Sequence, residues 1–517
     1  MMKRKQIIAA GLAAMMGAGL MTGCGGQAGG DTVQASVSSV QESASGQEGA
    51  GTVVNDTAED LSGLEPVELV WNLVGTPQDD QETVFEEVNQ VLKEKLNTTI
   101  KFNIIDWGSY DEKMKVSIAT NEPFDLCFTS DWTNPYTTNA QKGAYYPMND
   151  LLKEYGPHIL EQVPESYWDA TKIDEEIYGV VNYQITARIK GVSFPEDVVQ
   201  ELGYDVSKIA SFKDLTDYFA AVKEKKPDMV PFLGMGETTE MPALLTQETG
   251  FSIDYLQGPL AVRAEDPKKT FNAVESPEFM EFCKLMRDWY ESGYVRKDVA
   301  SISDYKGEAK THNYAAFTTG VGPGSTEVES SNAGFRVVQA QTVPSYVSTG
   351  SIQAALTAIS VNSEHPERAM MVLDYLFADK ETYNMLCYGL EGKHYTAVND
   401  YSIEVIEEGG YNPGIAWEFG SWFNAKLLKG QEEDLWDQLK EINATALTSP
   451  ILGFVYDSSR VKNESAQITA LMTEYLPGLM SGSVDPEVKI PELVGKMNAA
   501  GMDKIIADAD TQLAEWN

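Results

Sequence analysis

Cysteine and histidine are scarce, four of each among 517 residues. Beyond Cys24 only Cys127, Cys283 and Cys387 remain, an odd and scattered set that excludes a disulfide framework and a Cys-x-x-Cys metal knuckle. Each lies in apolar surroundings, as in Phe124-Asp125-Leu126-Cys127-Phe128, and reads as a buried free thiol. His158, His312, His365 and His394 share no metal-ligand spacing, and neither a serine elbow nor His-Glu-x-x-His occurs, so no cofactor or metal is expected. Positive charge is also short. The 39 Lys and Arg face 78 Asp and Glu, and the balance of −39 repels nucleic acid and anionic lipid while suiting a solvated, exported surface.

Long hydrophobic runs are missing too. The nearest, Ile7 to Met21, follows Met-Met-Lys-Arg-Lys and is too short and too rich in alanine and glycine to span a bilayer, so residues 1–23 read as a signal peptide. It ends in Leu20-Met21-Thr22-Gly23-Cys24, the pattern of a lipoprotein signal, with Met21 where an aliphatic residue is usual. Cys24 is therefore the expected lipidated N-terminus, and an ordinary signal peptide with a coincidental cysteine is the competing reading. Residues 24–62 are Gly, Ser, Ala, Gln, Thr, Val and acids without an aromatic, the composition of a flexible tether. The remaining stretch, roughly 450 residues, is longer than a single core usually grows and predicts two lobes.

Within it, the apolar run Glu68 to Val74 reads as a buried strand, and Phe85, Val88, Leu92 and Leu96 give a helix over Gln81 to Leu96 with Asp79 or Asp80 as cap. Thr99 to Asp106 is again a strand, Tyr110 to Ala119 a helix, and Phe124 to Phe128 a third strand. Such alternation argues for a parallel sheet covered by helices, an α/β class. Glu175 to Tyr183 reads as a further strand, with a crossing to the second lobe near Tyr183 to Arg188. Ser211 and Asp214 have capping-box spacing before a helix over Phe212 to Lys225. Helices also follow at Met280 to Ser292, from Pro366, at Pro491 to Ala500 and from Met502, while Asn313 to Phe317 reads as a strand running into a glycine-rich turn.

In open α/β sheets ligands bind beyond the carboxyl ends of the strands. The segments leaving those ends are Gly75 to Asp80, Asp106 to Tyr110 and Thr129 to Tyr136, and two of them place tryptophan beside an acid.

The order of these elements resembles the bacterial extracellular solute-binding proteins of ABC importers, specifically the oligosaccharide-binding family 1. The resemblance rests on the signal ending at Cys24, Phe124-Asp125-Leu126, the run from Lys142 to Leu151, and Ile177-Tyr178-Gly179-Val180. Gly389 to Tyr395 and Ile490 to Trp516 are similar to a subgroup, common in Gram-positive bacteria, that carries a C-terminal extension. The resemblance implies a two-lobed, periplasmic-binding-protein-like α/β fold with discontinuous lobes, hinge crossings and an interlobe cleft. By that analogy residues 63–182 and 305–347 form lobe 1, and residues 183–304 and 348–517 form lobe 2. It also implies a non-enzymatic, monomeric receptor on the extracellular face of the cell membrane, anchored by lipid at Cys24, that hands an oligosaccharide to the permease subunits.

A sugar ring has an apolar C–H face and a rim of hydroxyls, and it asks for aromatic platforms beside polar partners. Trp107 and Trp132 are the candidate platforms from lobe 1, with Asp106 and Asp131 as acceptors and Tyr183 and Arg188 at the crossing. Trp417 and Trp422 are the candidates from lobe 2. Core packing is the competing reading for every one of the nine tryptophans, and Trp289, Trp436 and Trp516 are assigned to it. A peptide receptor of the same fold and a secreted glycoside hydrolase remain the alternatives.

Overall fold

The computed structural model describes residues 28–29, 64–235 and 253–516. The expected signal peptide, Cys24 and nearly all of the tether lie outside the described residues.

The first lobe is built on a five-stranded sheet. Strand β1 (Val67–Val74) is followed by helix α1 (Gln81–Leu96), β2 (Thr98–Ile105), α2 (Tyr110–Thr120) and β3 (Leu126–Thr129). Strands β2, β1 and β3 lie side by side and parallel, so their carboxyl ends share one edge. Helix α1 turns Val84, Phe85, Val88, Leu92 and Leu96 onto the sheet, the spacing expected from one helical face. Both helices stop at a left-handed asparagine, Asn97 (φ 45°) after α1 and Asn121 (φ 54°) after α2, which lets the chain reverse into the next strand. Trp71 on β1 is fully buried and stacks on Phe102 of β2 at 5.9 Å.

The sheet is completed from far along the chain. Strand Leu356–Ile359 inserts antiparallel between β3 and Val180–Val181. Glu175 to Tyr183 is accordingly not one strand. Asp174 and Glu175 both take positive φ (52° and 69°) and turn a small hairpin between Lys172–Ile173 and Glu176–Ile177, leaving only Val180–Val181 for the main sheet.

The second lobe gathers around strand Lys190–Pro195, flanked antiparallel by Phe317–Gly320 and Val337–Gln341. The expected strand at Asn313 to Phe317 thus begins only at its last residue. A separate sheet of Ile253–Gln257, Leu260–Arg263 and Asp266–Asn272 carries the pair Ala28–Gly29 on its edge. The capping box forms as expected, the Ser211 N–H donating to Asp214 at 2.8 Å. The C-terminal helices Lys462–Met480, Pro486–Ala500 and Met502–Glu515 pack on this lobe.

Two large hydrophobic cores result. One draws on Leu69 to Ala187 and Val347 to Leu439, the other on Val192 to Ala316, Ala340 to Val343 and Val461 to Ala509. This corrects the expected lobe boundaries, because the two returning segments are exchanged. Residues 305–343 complete the second lobe's sheet, and most of the stretch after 348, as far as Leu439, belongs to the first core.

Three crossings join the lobes as a ribbon. Tyr346–Val347 runs parallel to Leu447–Thr448, and the Arg188 N–H donates to the Tyr346 carbonyl at 2.7 Å. Asn443 fixes the first crossing. Its Oδ1 accepts from the Thr186 and Ala187 N–H groups, both at 3.0 Å, while its Nδ2 donates to the Gln184 carbonyl at 2.7 Å.

Candidate ligand-binding cleft

The parallel register of β1, β2 and β3 brings the loops after β2 and β3 to one edge. Asp106 ends β2 by folding a tight turn: its Oδ1 accepts from the Gly108 N–H at 3.0 Å and its carbonyl from the Ser109 and Tyr110 N–H groups. The turn projects Trp107, which is 43% exposed. In the loop after β3, Ser130 Oγ accepts from the Thr133 N–H at 2.9 Å, and the Trp132 indole donates to the Ala354 carbonyl at 2.9 Å. That bond orients a half-buried ring.

A third tryptophan joins them. Trp417 is almost fully buried and its indole donates to the Gly414 carbonyl at 3.1 Å. Trp107 stacks on Trp132 (6.2 Å between centroids, 20° between planes) and on Trp417 (6.1 Å, 26°), and Phe128 of β3 meets Trp417 edge-on at 5.3 Å. The chain places Trp107 as the exposed member of a braced aromatic cluster.

Asp131 opens to solvent between this cluster and the hinge. Its N–H donates to the Gln353 carbonyl at 3.0 Å, and its Oδ2 lies so close to Gly350 that a Cβ there would meet it at 3.1 Å. The carboxyl is reachable by water yet sits in a recess crowded by protein. That loss of solvation pushes it up to about 6, against the opposing pull of the Arg188 charge from the first crossing. Arg188 itself is half-buried.

The remaining candidates go elsewhere. Tyr183 is buried, its ring edge-on to Phe423 (4.8 Å) and Tyr167 (6.3 Å), and its backbone pairs with the Gly420 to Trp422 segment. Trp422 packs on Trp436 at 5.9 Å. Tyr183 lies in the first core and Trp422, half-buried, packs against it, with Tyr183 paired to Ser421 in β-like fashion, so neither joins the tryptophan cluster. Trp417 is corrected: it belongs to the first lobe's core and not to the second's. Asp106 is chiefly a turn former.

One group escaped the sequence reading, and a second, Asp80, is read there only as a helix cap but makes no side-chain cap bond. Glu418, next to Trp417, is fully buried, neither carboxylate oxygen has a hydrogen-bond partner, and burial pushes its carboxyl far above the usual carboxylate range. Asp80 meets Lys393 at 2.5 Å and His394 Nε2 at 2.8 Å, and accepts from Thr83 Oγ1 at 2.7 Å; the Lys393 contact leads in holding its carboxyl well below the ordinary range. His394 Nδ1 accepts from the Leu390 N–H at 2.8 Å, so the neutral ring carries its proton on Nε2 and donates to Asp80. This ties the strand-end loop before α1 to the Gly389 to Gly410 segment.

A separate recess of about 600 Å³, lined by Leu152, Leu160, Trp168 and Ile177, contains none of the three clustered tryptophans, and its Lys172 and Asp169 are already paired at 2.7 Å. Among the described residues no group of three or more His, Cys, Asp or Glu could hold a metal ion, and no helix is long and apolar enough to cross a membrane.

Residues 450–517 match the model of a domain of unknown function, DUF3502. A carbohydrate ABC transporter substrate-binding protein of Streptococcus pneumoniae serotype 4 is 28% identical over 471 residues, spanning 88% of this chain and 92% of the relative. The crystal structure of the N-glycan transport solute binding protein NgtS of S. pneumoniae superposes with a TM-score of 0.76 at 26% identity, covering 87% of this chain and 99% of that one. The same protein in complex with Man1GlcNAc gives 0.62 at 25% identity over 87% and 99%. An HMO-binding solute binding protein of Bifidobacterium longum infantis (12% identity, TM-score 0.60, 87% and 99% covered) shares the fold.

Proposed function

We propose that this chain, similar over most of its length to a carbohydrate ABC transporter substrate-binding protein, binds its ligand without transforming it, capturing an oligosaccharide on the Trp107, Trp132 and Trp417 cluster and delivering it to the permease of its importer. The observation that carries this reading is the open indole of Trp107, braced on two further tryptophans beside Asp131. An indole face covers the C–H side of a sugar ring, and its rigidity keeps the ordering cost low. Above about pH 6 the ionised Asp131 accepts from sugar hydroxyls, and the Arg188 guanidinium supplies donors. The protein works as a monomer on the outer face of the cell membrane, held there by lipid on Cys24.

NgtS has been seen with Man1GlcNAc and Man5GlcNAc, which makes short mannose-containing glycans the first ligands to try. A thermal-shift and calorimetric screen of the chain from Gly63 onward against such glycans, plant oligosaccharides, monosaccharides and short peptides tests the proposal. An oligosaccharide that raises the melting temperature and loses that effect in Trp107→Ala supports it. A shift produced by peptides alone removes the sugar and the tryptophan cluster together.

A further inference from the structure

The C-terminal segment that matches DUF3502 begins at residue 450, directly after the third crossing. Most of it packs within the second lobe, but one loop does not stay there. The Gly453 N–H donates to Thr349 Oγ1 at 2.8 Å, and a Cβ built on Gly453 would stand 2.7 Å from the Asp169 carbonyl oxygen. Asp169 lies in the turn Glu165–Thr171, whose Tyr167, Trp168 and Ala170 belong to the first core; Thr349 opens the short helix that sends Ile352 into the same core. Gly453 therefore touches the first lobe's backbone, and its φ of +96° suits glycine alone.

The loop cannot easily yield at that contact. Ile451 and Phe454 join Val262 and Leu513 in a small core of their own, and Trp516 packs edge-on to Phe454 at 5.6 Å. Lys268 donates to the Leu513 and Trp516 carbonyls at 3.2 and 2.6 Å and lies over the Trp516 ring. On the other side Ser449, one residue before the segment, donates its N–H to the Val347 carbonyl of the hinge ribbon at 2.9 Å.

We propose that this C-terminal segment sets the angle between the lobes, with the loop Ile451 to Phe454 as the bearing on which the first lobe rests and Gly453 as its positioning residue. Because the bearing lies beside the crossings, a displacement there is amplified towards the lobes' far ends. Thr349 is followed by Gly350, which abuts Asp131, so the same bearing fixes where the cleft acid stands.

The test needs no ligand. Exposed Val116 and Val488, one in each lobe, are changed to cysteine in the intact chain carrying Cys24→Ser and spin-labelled, the remaining native thiols at 127, 283 and 387 being buried. Gly453→Val is expected to shift the mean distance between labels by several ångström while cooperative melting is retained. Thr349→Val, which keeps the shape and removes the acceptor, is expected to broaden the distance distribution. Should Gly453→Val fail to fold, Thr349→Val decides alone. Distributions identical to the parent in folded variants overturn the proposal and leave the assignment of the sugar site untouched.

Discussion

Trp107→Ala isolates the proposed contact with ligand. The indole is 43% exposed, and with ~250 Å² for a whole aromatic side chain this leaves roughly 110 Å² for a sugar to cover. At ~25 cal/mol per Å² the lost burial is about 2.7 kcal/mol, or roughly 80-fold in Kd. The variant also loses two ring pairs, those with Trp132 and Trp417, worth ~0.5–1.5 kcal/mol each in folding stability. Both quantities are read together, Kd by isothermal titration calorimetry and stability by urea unfolding. Trp422→Ala is the matched control, since Trp422 packs against Trp436, and it should leave Kd unchanged. An unchanged Kd in folded Trp107→Ala, or an equal loss in Trp422→Ala, would refute the assignment of the exposed indole as the platform.

Burial keeps the Asp254 carboxyl protonated up to about pH 7, whereas its ordinary value is 3.8; the folded state therefore holds the extra proton between these values. Stability should fall as pH rises from about 4 to 7 and level off above, by at most ~4 kcal/mol. Asp254→Asn, still able to accept from Ser449 Oγ, should flatten that slope in urea titrations at pH 5 and pH 8. His394→Ala removes a fully buried ring that bridges the Leu390 N–H and Asp80. It should cost ~2–4 kcal/mol in unfolding free energy, and a loss below ~0.5 kcal/mol would make the bridge incidental. Cys127, Cys283 and Cys387 are buried, and burial pushes the Cys127 thiol up to about 12. None should react with a thiol reagent until the chain from Gly63 onward is unfolded.

Local periodicity carried the first lobe's opening elements because each buries one face. Helix α1 spans Gln81–Leu96 since Phe85, Val88, Leu92 and Leu96 recur on a single stripe, and the serine-acid spacing at Ser211 and Asp214 forms its reciprocal cap. The partners of the later strands left no such trace. Leu356–Ile359 is a short, wholly buried run between two antiparallel neighbours. Buried on both faces, such a run has no alternation to say which sheet receives it. Pairing is settled by which sheet has an open edge, and that is a property of the assembled lobe. The exchange of the two returning segments follows from this.

The site divides along the same line. Trp107 and Trp132 could be brought together from sequence because parallel strands put the loops at their carboxyl ends on one edge, whatever else the chain does. Trp417 enters that cluster only because its loop packs under β1, where Ile415 lies against Gly75. Placed in the second lobe, it would have faced Trp107 across the cleft; placed in the first, it braces Trp107 from behind. This changes what lobe closure can do. All three rings sit on the first lobe, so under the proposed assignment a sugar would stack on that lobe alone, and closure would add the second lobe's contacts. Glu418 marks the other limit of sequence reading. An acid between Trp417 and Phe419 suggests a solvent-facing position by its charge alone, yet the fold seals it with neither oxygen paired. Burial pushes its carboxyl far above the usual carboxylate range, and a fully buried group beside Trp417 is no acceptor for a ligand on the open indole.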